Sequence, residues 1–167
     1  MILAACVGAA GCSKYAEAPA VVARAVKTGP SAEVPATQPA QIALFTTLAE
    51  EKAGRPTGTP STDVVIDALS QAGLPLEQRK QFLGKLIGAH YCEGGRTTGG
   101  LGVSICEFND APGAIAGKAL SEKSFGKLFP NREIVVNKKT ILTIVEPQKT
   151  AALMSQAETA KGIFLKL

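Results

Sequence analysis

Apolar positions recur along this chain with two periods, and the change from one to the other marks out its elements. Ala40 to Ala53 carries apolar residues at helical spacing and meets a natural stop at Gly54. A loop rich in Gly, Pro and Thr follows to Pro60. Ser61 or Thr62 can then cap a helix with Asp63 in its first turn and a stripe of Val64, Val65, Ala68, Leu69 and Ala72. Gly73 ends that stripe, and Pro75 stands where a second helix can begin. The spacing predicts this second helix from Leu76 to about Ile87, with Phe82, Leu83, Leu86 and Ile87 on one face. The two form a helical hairpin.

From His90 the period shortens to two. His90 to Phe108 consists of two β-compatible runs around a glycine-rich turn near Gly99, and each run carries one cysteine. Asn109 or Asp110 caps a helix from about Ala111 to Ser121. Ile134 to Val136 and Thr140 to Val145 flank a second hairpin turn, placed at Asn137-Lys138 or Lys138-Lys139. A last helix runs from about Lys149 to Lys161.

These two units resemble one another. An offset of 39 residues sets Val103-Ser104-Ile105-Cys106-Glu107 over Leu142-Thr143-Ile144-Val145-Glu146, and Phe125-Gly126-Lys127-Leu128 over Phe164-Leu165-Lys166-Leu167. A duplicated ββα unit follows from that register. The expected fold class is α+β: a helical hairpin, then two ββα units forming a four-stranded antiparallel sheet with helices on one face and a pseudo-twofold axis. One α+β domain is expected over 61–167, preceded by a helix and loop at 40–60 and a tether at 13–39.

Composition alters this picture at the N-terminus. The 167 residues are 46% hydrophobic but only 5% aromatic, so the core rests on Ile, Leu, Val and a few Phe. From Tyr15 to Pro39 the chain is mainly Ala, Pro, Val, Thr, Glu and Gln, with Pro19, Pro30, Pro35 and Pro39 spread through it, which describes an extended linker. The net charge of +4 is scattered without a basic block, so nucleic acid is not an expected partner.

Met1 to Gly11 is apolar and uncharged, shorter than a bilayer-spanning helix, and breaks at Cys12-Ser13-Lys14. Small residues leading into a cysteine resemble the lipobox of bacterial lipoproteins. The resemblance covers residues 1–12 and implies cleavage before the cysteine and acylation of its thiol. Both Leu3-Ala4-Ala5-Cys6 and Ala9-Ala10-Gly11-Cys12 offer the pattern. Cys12 is the preferred anchor because cleavage at Cys6 would leave almost no apolar signal core; Cys6 is the alternative. The resemblance implies an exported protein held by its lipid in the bacterial cell envelope, with its domain in the periplasm or at the cell surface.

Export bears on the remaining chemistry. Cys92 and Cys106 fall opposite one another in the expected hairpin, and exported thiols meet an oxidising compartment, so the expectation is a structural disulfide. The sharper alternative is a metal site in which His90, Cys92 and Cys106, with Glu93 or Glu107, hold zinc. His90 is the sole histidine, and no G-x-S-x-G elbow accompanies it. The glycine-rich turn lacks the Lys-Ser/Thr ending and following helix of a phosphate loop. No cofactor is expected and no catalytic residue is assigned.

The reading is therefore a membrane-anchored envelope lipoprotein whose disulfide-stapled domain binds or supports an envelope protein or small ligand. The exposed turn at Arg96, Thr97 and Thr98 is the expected contact loop. The competing reading is a small periplasmic metal-binding protein or enzyme working through the His90, Cys92 and Cys106 hairpin.

Overall fold

The computed structural model describes residues 39–56 and 60–167. The lipobox, Cys6, Cys12 and the tether before Pro39 lie outside the described residues. Four α-helices and five strands follow in the order α1 (Pro39–Ala53), α2 (Thr62–Gln71), β1 (Leu76–Phe82), a 3₁₀ turn (Gly84–Ile87), β2 (Tyr91–Thr97), β3 (Gly102–Glu107), α3 (Ala111–Phe125), β4 (Arg132–Asn137), β5 (Thr140–Val145) and α4 (Ala151–Phe164). Side-chain caps set three helix starts. Ser61 accepts from the Val64 N–H, Asp110 from Gly113 and Thr150 from Leu153.

The sheet is antiparallel throughout, in the order β1-β2-β3-β5-β4. It has five strands rather than the four expected, because Leu76 to Phe82 is an edge strand and not the second arm of a helical hairpin. Glu77, Gln78, Arg79 and Lys80 are good helix formers, but a helix there would place Arg79 and Lys80 on the stripe between Leu76 and Leu83. As a strand the segment pairs its backbone with the open edge of β2. Leu76 and Phe82 are an even number of residues apart and would share a face of a regular strand. Between Glu77 and Lys80 the register shifts, with Gln78 at φ 49°, so that two residues of β1 oppose Gly95 alone. The bulge turns Leu76 toward one core and Phe82 toward the other. A Cβ on Gly95 would lie 2.5 Å from the Glu77 carbonyl oxygen, so glycine lets the bulge lie close.

Helices cover both faces of the sheet, not one. Val103, Ile105, Leu142 and Ile144 pack under α2 and α4 with Val65, Leu69, Leu153 and Phe164. Cys92, Cys106, Ile134 and Ile141 pack on the opposite face under the 3₁₀ turn and α3 with Ile87, Phe108 and Ala114. The central strands follow the 39-residue offset. Val103 pairs with Ile144 and Ile105 with Leu142, and adding 39 to 103 and 105 gives 142 and 144. The helices leave that symmetry. Phe108 continues β3 on the Cys106 face and is buried there, and Gly117 of α3 leaves room only for its ring, which draws α3 to that side. The residue 39 positions later is Pro147, and α4 goes to the other face.

Cys92 and Cys106 are paired residues of β2 and β3 and form a disulfide, with Cα atoms 4.1 Å apart. The second hairpin turn is Lys138-Lys139, with Asn137 opposite Thr140 and Lys138 at φ 53°. Among the described residues no helix is long and apolar enough to cross a membrane.

Two stability outcomes follow. Replacing both cysteines by alanine opens a loop of sequence separation 14. It should lower the unfolding free energy by about 3 kcal/mol in urea titrations, with reduction of the native chain giving the same loss. Gly117→Ala drives a methyl group into the Phe108 ring. It should cost about 1–3 kcal/mol in the same measurement.

Candidate functional site

The register lays the α3 face of the sheet out in three cross-strand rows. Phe82, Cys92, Cys106, Ile141 and Val136 form the first, and the 3₁₀ turn and α3 bury its centre. Lys80, Gly94, Ser104, Thr143 and Ile134 form the second. Glu77, Arg96, Gly102, Val145 and Arg132 form the third. Over the middle of the second and third rows the side chains shrink to Gly94, Gly102, Ser104 and Thr143. A cavity of about 690 Å³ lies on this floor, closed at its inner end by Cys92 and Cys106.

Two apolar walls flank it. On the β1 side stand Leu44 and Leu48 of α1 with Phe82, Leu83 and Leu86. Polar contacts fix this wall. Gln81 donates from Nε2 to the Leu48 carbonyl at 2.7 Å, and the Glu51 carboxylate accepts from the backbone N–H groups of Gly84 and Lys85 at 3.0 and 2.9 Å. On the β4 side stand Ser121 and Phe125 of α3 and, beyond it, Phe129. Arg132 donates to the Ser121 carbonyl at 2.7 Å and to its Oγ at 3.2 Å, joining α3 to the sheet edge. Burial pushes the Arg132 pKa below its usual value. The walls are open to solvent, with Leu86 and Phe129 exposed and no residue of α1 buried.

The opposite face carries a compact ionic cluster. Arg55 donates to both oxygens of Glu107 and, at 2.7 Å, to Asp63. Glu107, only 3% exposed, also accepts a very short hydrogen bond from the Thr62 N–H. Arg79 donates to Glu93 at 2.7 Å, and the Tyr91 hydroxyl donates to the same carboxylate at 2.7 Å. The Arg55 guanidinium lies 4.6 Å from the Tyr91 ring centre. The hydrogen bond to Glu107 holds the Arg55 pKa above its ordinary value. Burial, aided by the hydrogen bond to Glu93, pushes the Tyr91 hydroxyl up to about 12. These charges satisfy one another, so the cluster clamps the start of α2 onto β2 and β3.

The cysteine hairpin is thereby divided. Cys92 and Cys106 are bonded to each other on one face, while Glu93 and Glu107 are engaged on the other. His90 is exposed and outside β2, its N–H donating to the Glu107 carbonyl at 2.9 Å. Among the described residues no three His, Cys, Asp or Glu side chains are placed to hold a metal ion. The expected contact loop is divided too. Arg96 is exposed and lines the groove. Thr97 is buried, donating to Gln156 Oε1 of α4 at 2.9 Å and accepting from the Leu101 N–H. Thr98 is exposed and donates to Glu77 at 3.2 Å.

Lys80, Ser104, Thr143, Phe125 and Arg132 were not singled out by sequence. Small residues at alternate positions of the hairpin, Gly94 with Ser104 and Gly102, were the signal for a bare strip of sheet.

The clamp makes two predictions. Glu107→Ala removes the acceptor of the Thr62 N–H and leaves Arg55 with Asp63 alone. It should cost about 3 kcal/mol in chemical denaturation. Because the folded state raises the Tyr91 pKa from 10.0 to about 12, its contribution is complete below pH 10 and is lost as pH climbs through 12. Unfolding midpoints of wild type and Tyr91→Phe, compared from pH 9 to 12, should converge; parallel curves would contradict the assignment. Comparison of the chain with protein-family models, curated proteins and solved structures finds no match to any of them.

Proposed function

We propose that this chain is a lipoprotein of the bacterial envelope, acylated at Cys12, whose folded domain binds an apolar or amphipathic ligand in the sheet groove. The lipobox-like N-terminus and proline-rich tether support the anchored half of this reading. The observation that carries the binding half is the bare floor between two apolar walls. Gly94, Gly102 and Ser104 keep side chains out of the centre of a sheet face that α3 covers only in part. An opening of about 690 Å³ is within the range of small-molecule sites. Binding is favoured over catalysis because the sole histidine lies outside the groove and the two cysteines at its inner end are joined. The tether of residues 13–39 then serves to let the domain reach a ligand or an envelope partner away from the membrane surface.

Cys12→Ser should move the chain from the membrane to the soluble fraction, while Cys6→Ser leaves it at the membrane. Release by Cys6→Ser alone would assign the anchor to that residue, and no release by either would refute the lipid anchor. For the groove, a neutral solvatochromic dye such as Nile red should bind saturably. Ser104→Phe, which fills the floor, should weaken it at least about tenfold without disturbing the disulfide or the circular dichroism. Equal dye binding by the two proteins would move the ligand site elsewhere.

A further inference from the structure

We propose that the groove ligand is a long-chain carboxylate whose acid group is seated by Lys80 and Arg96, an inference that rests on the groove being the ligand site. The chain has 18 basic and 14 acidic residues, so an arbitrary stretch of surface would carry both signs. The groove does not. Its lining includes Lys80, Arg96 and Arg132 and, among the described residues, no aspartate or glutamate.

The three cations are not equivalent. Arg132 is committed to the Ser121 carbonyl and hydroxyl and acts as part of the β4 wall. Arg96 has neither a hydrogen bond nor an ion pair among the described residues. Lys80 lies 5.6 Å over the Phe82 ring and has no carboxylate partner there. Glu77, opposite Arg96 in the ladder, is turned to the Thr98 hydroxyl at 3.2 Å. Lys80 is opposite Gly94, and Arg96 is two residues further along β2, so the two cations are diagonal neighbours roughly 7–8 Å apart at their Cα atoms. Gly94 puts no side chain between them. The bulge in β1 produces this pairing, since it returns Lys80 to the groove face after Gln78. Two free cations over a bare strip of sheet make a seat for one compact anion.

The rest of the groove describes what that anion is attached to. From β2 to β4 the floor crosses three strand spacings, about 14 Å, from the cationic end toward Val145, Phe125 and Phe129. Along this path β3 and β5 are hydrogen-bonded on both sides, so the middle of the floor has no free backbone edge for a peptide. The uncharged polar side chains on this floor are Ser104 and Thr143; Gln78 and Gln81 stand at the cationic end and Ser121 in the β4 wall, with Gln81 and Ser121 held by Leu48 and Arg132. A ligand with one acid and an unbranched hydrocarbon tail matches an apolar path that starts at two cations and offers few further polar partners.

Full chain carrying Cys6→Ser and Cys12→Ser, with the Cys92–Cys106 bond intact, separates the outcomes in one assay. Laurate should displace Nile red, and Lys80→Glu with Arg96→Glu should weaken laurate at least about tenfold while leaving dodecanol unchanged. Loss of laurate and dodecanol together, or of neither, would overturn the assignment of the acid group. Displacement by neither ligand from a dye site that Ser104→Phe abolishes would reject the long-chain carboxylate while the groove stands. Failure of Nile red itself to bind would remove the groove as the ligand site, and the proposal with it. Sedimentation with phosphatidylglycerol vesicles without laurate binding would replace the soluble ligand with a lipid surface and so refute it.

Discussion

The Glu107 carboxylate is where the two halves of the domain are tied. It ends β3, the arm of the cysteine hairpin that pairs with the second hairpin, and it is almost fully buried. A carboxylate so placed requires charged or polar partners, and it takes them from outside the sheet: the Arg55 guanidinium and the backbone N–H at the start of α2. The same residue accepts through its carbonyl from His90, which begins the hairpin, while the next residue, Phe108, donates to Lys139 in the other turn. Glu107 and Phe108, two successive residues, thus fix α2, β2 and the β4–β5 turn at once.

That clamp and the disulfide work on opposite faces of the same two strands, and their division decides what each face can be. On the Glu107 face the ionic cluster and the Val103 to Ile144 core leave little unsatisfied, and α2 and α4 close it. On the Cys106 face burial is confined to the row of the disulfide and its neighbours. In the next row Gly94, Ser104 and Thr143 replace large side chains, as Gly102 does in the row after, and α1 and α3 meet the sheet at its sides. A covalent link across β2 and β3 stiffens the strands at the end of the groove, where α3 and the 3₁₀ turn also pack. The floor beyond is held flat by ladder hydrogen bonds, without side-chain packing from above.

The likeness of the two hairpins stops short of the helices that follow them. Only the central strands β3 and β5 obey the 39-residue offset and share its alternation of faces, whereas β4 pairs with β5 one residue out of the register that β2 makes with β3. Phe108 directs α3 to one face, and Pro147 stands at the matching position ahead of α4 on the other. Had both helices stayed on the α4 side, the opposite face would have kept only the 3₁₀ turn and α1 at its edge. Opposed helices instead give one closed face and one half-open face, and the groove is the uncovered half.

What was legible in the sequence is local. Caps at Ser61 and Asp110, the two hairpins, and the pairing of Cys92 with Cys106 follow from side-chain chemistry and from period-two alternation, which act over a few residues. The strand at Leu76 to Phe82 could not be read this way. Its exposed residues favour a helix, and its strand state comes from the open backbone edge of β2, a partner distant in sequence at every position but the last. The site divides likewise. Arg96 and the two cysteines stood out by type and place, but Lys80 reaches the groove only because a bulge flips it. Arg132 and Ser121 meet only once α3 has crossed the sheet. Sequence determined which residues the two hairpins present to each face; tertiary structure alone decided that β1 would join them and which face would be left open, because that depends on the free edge of β2 and on where the helices pack.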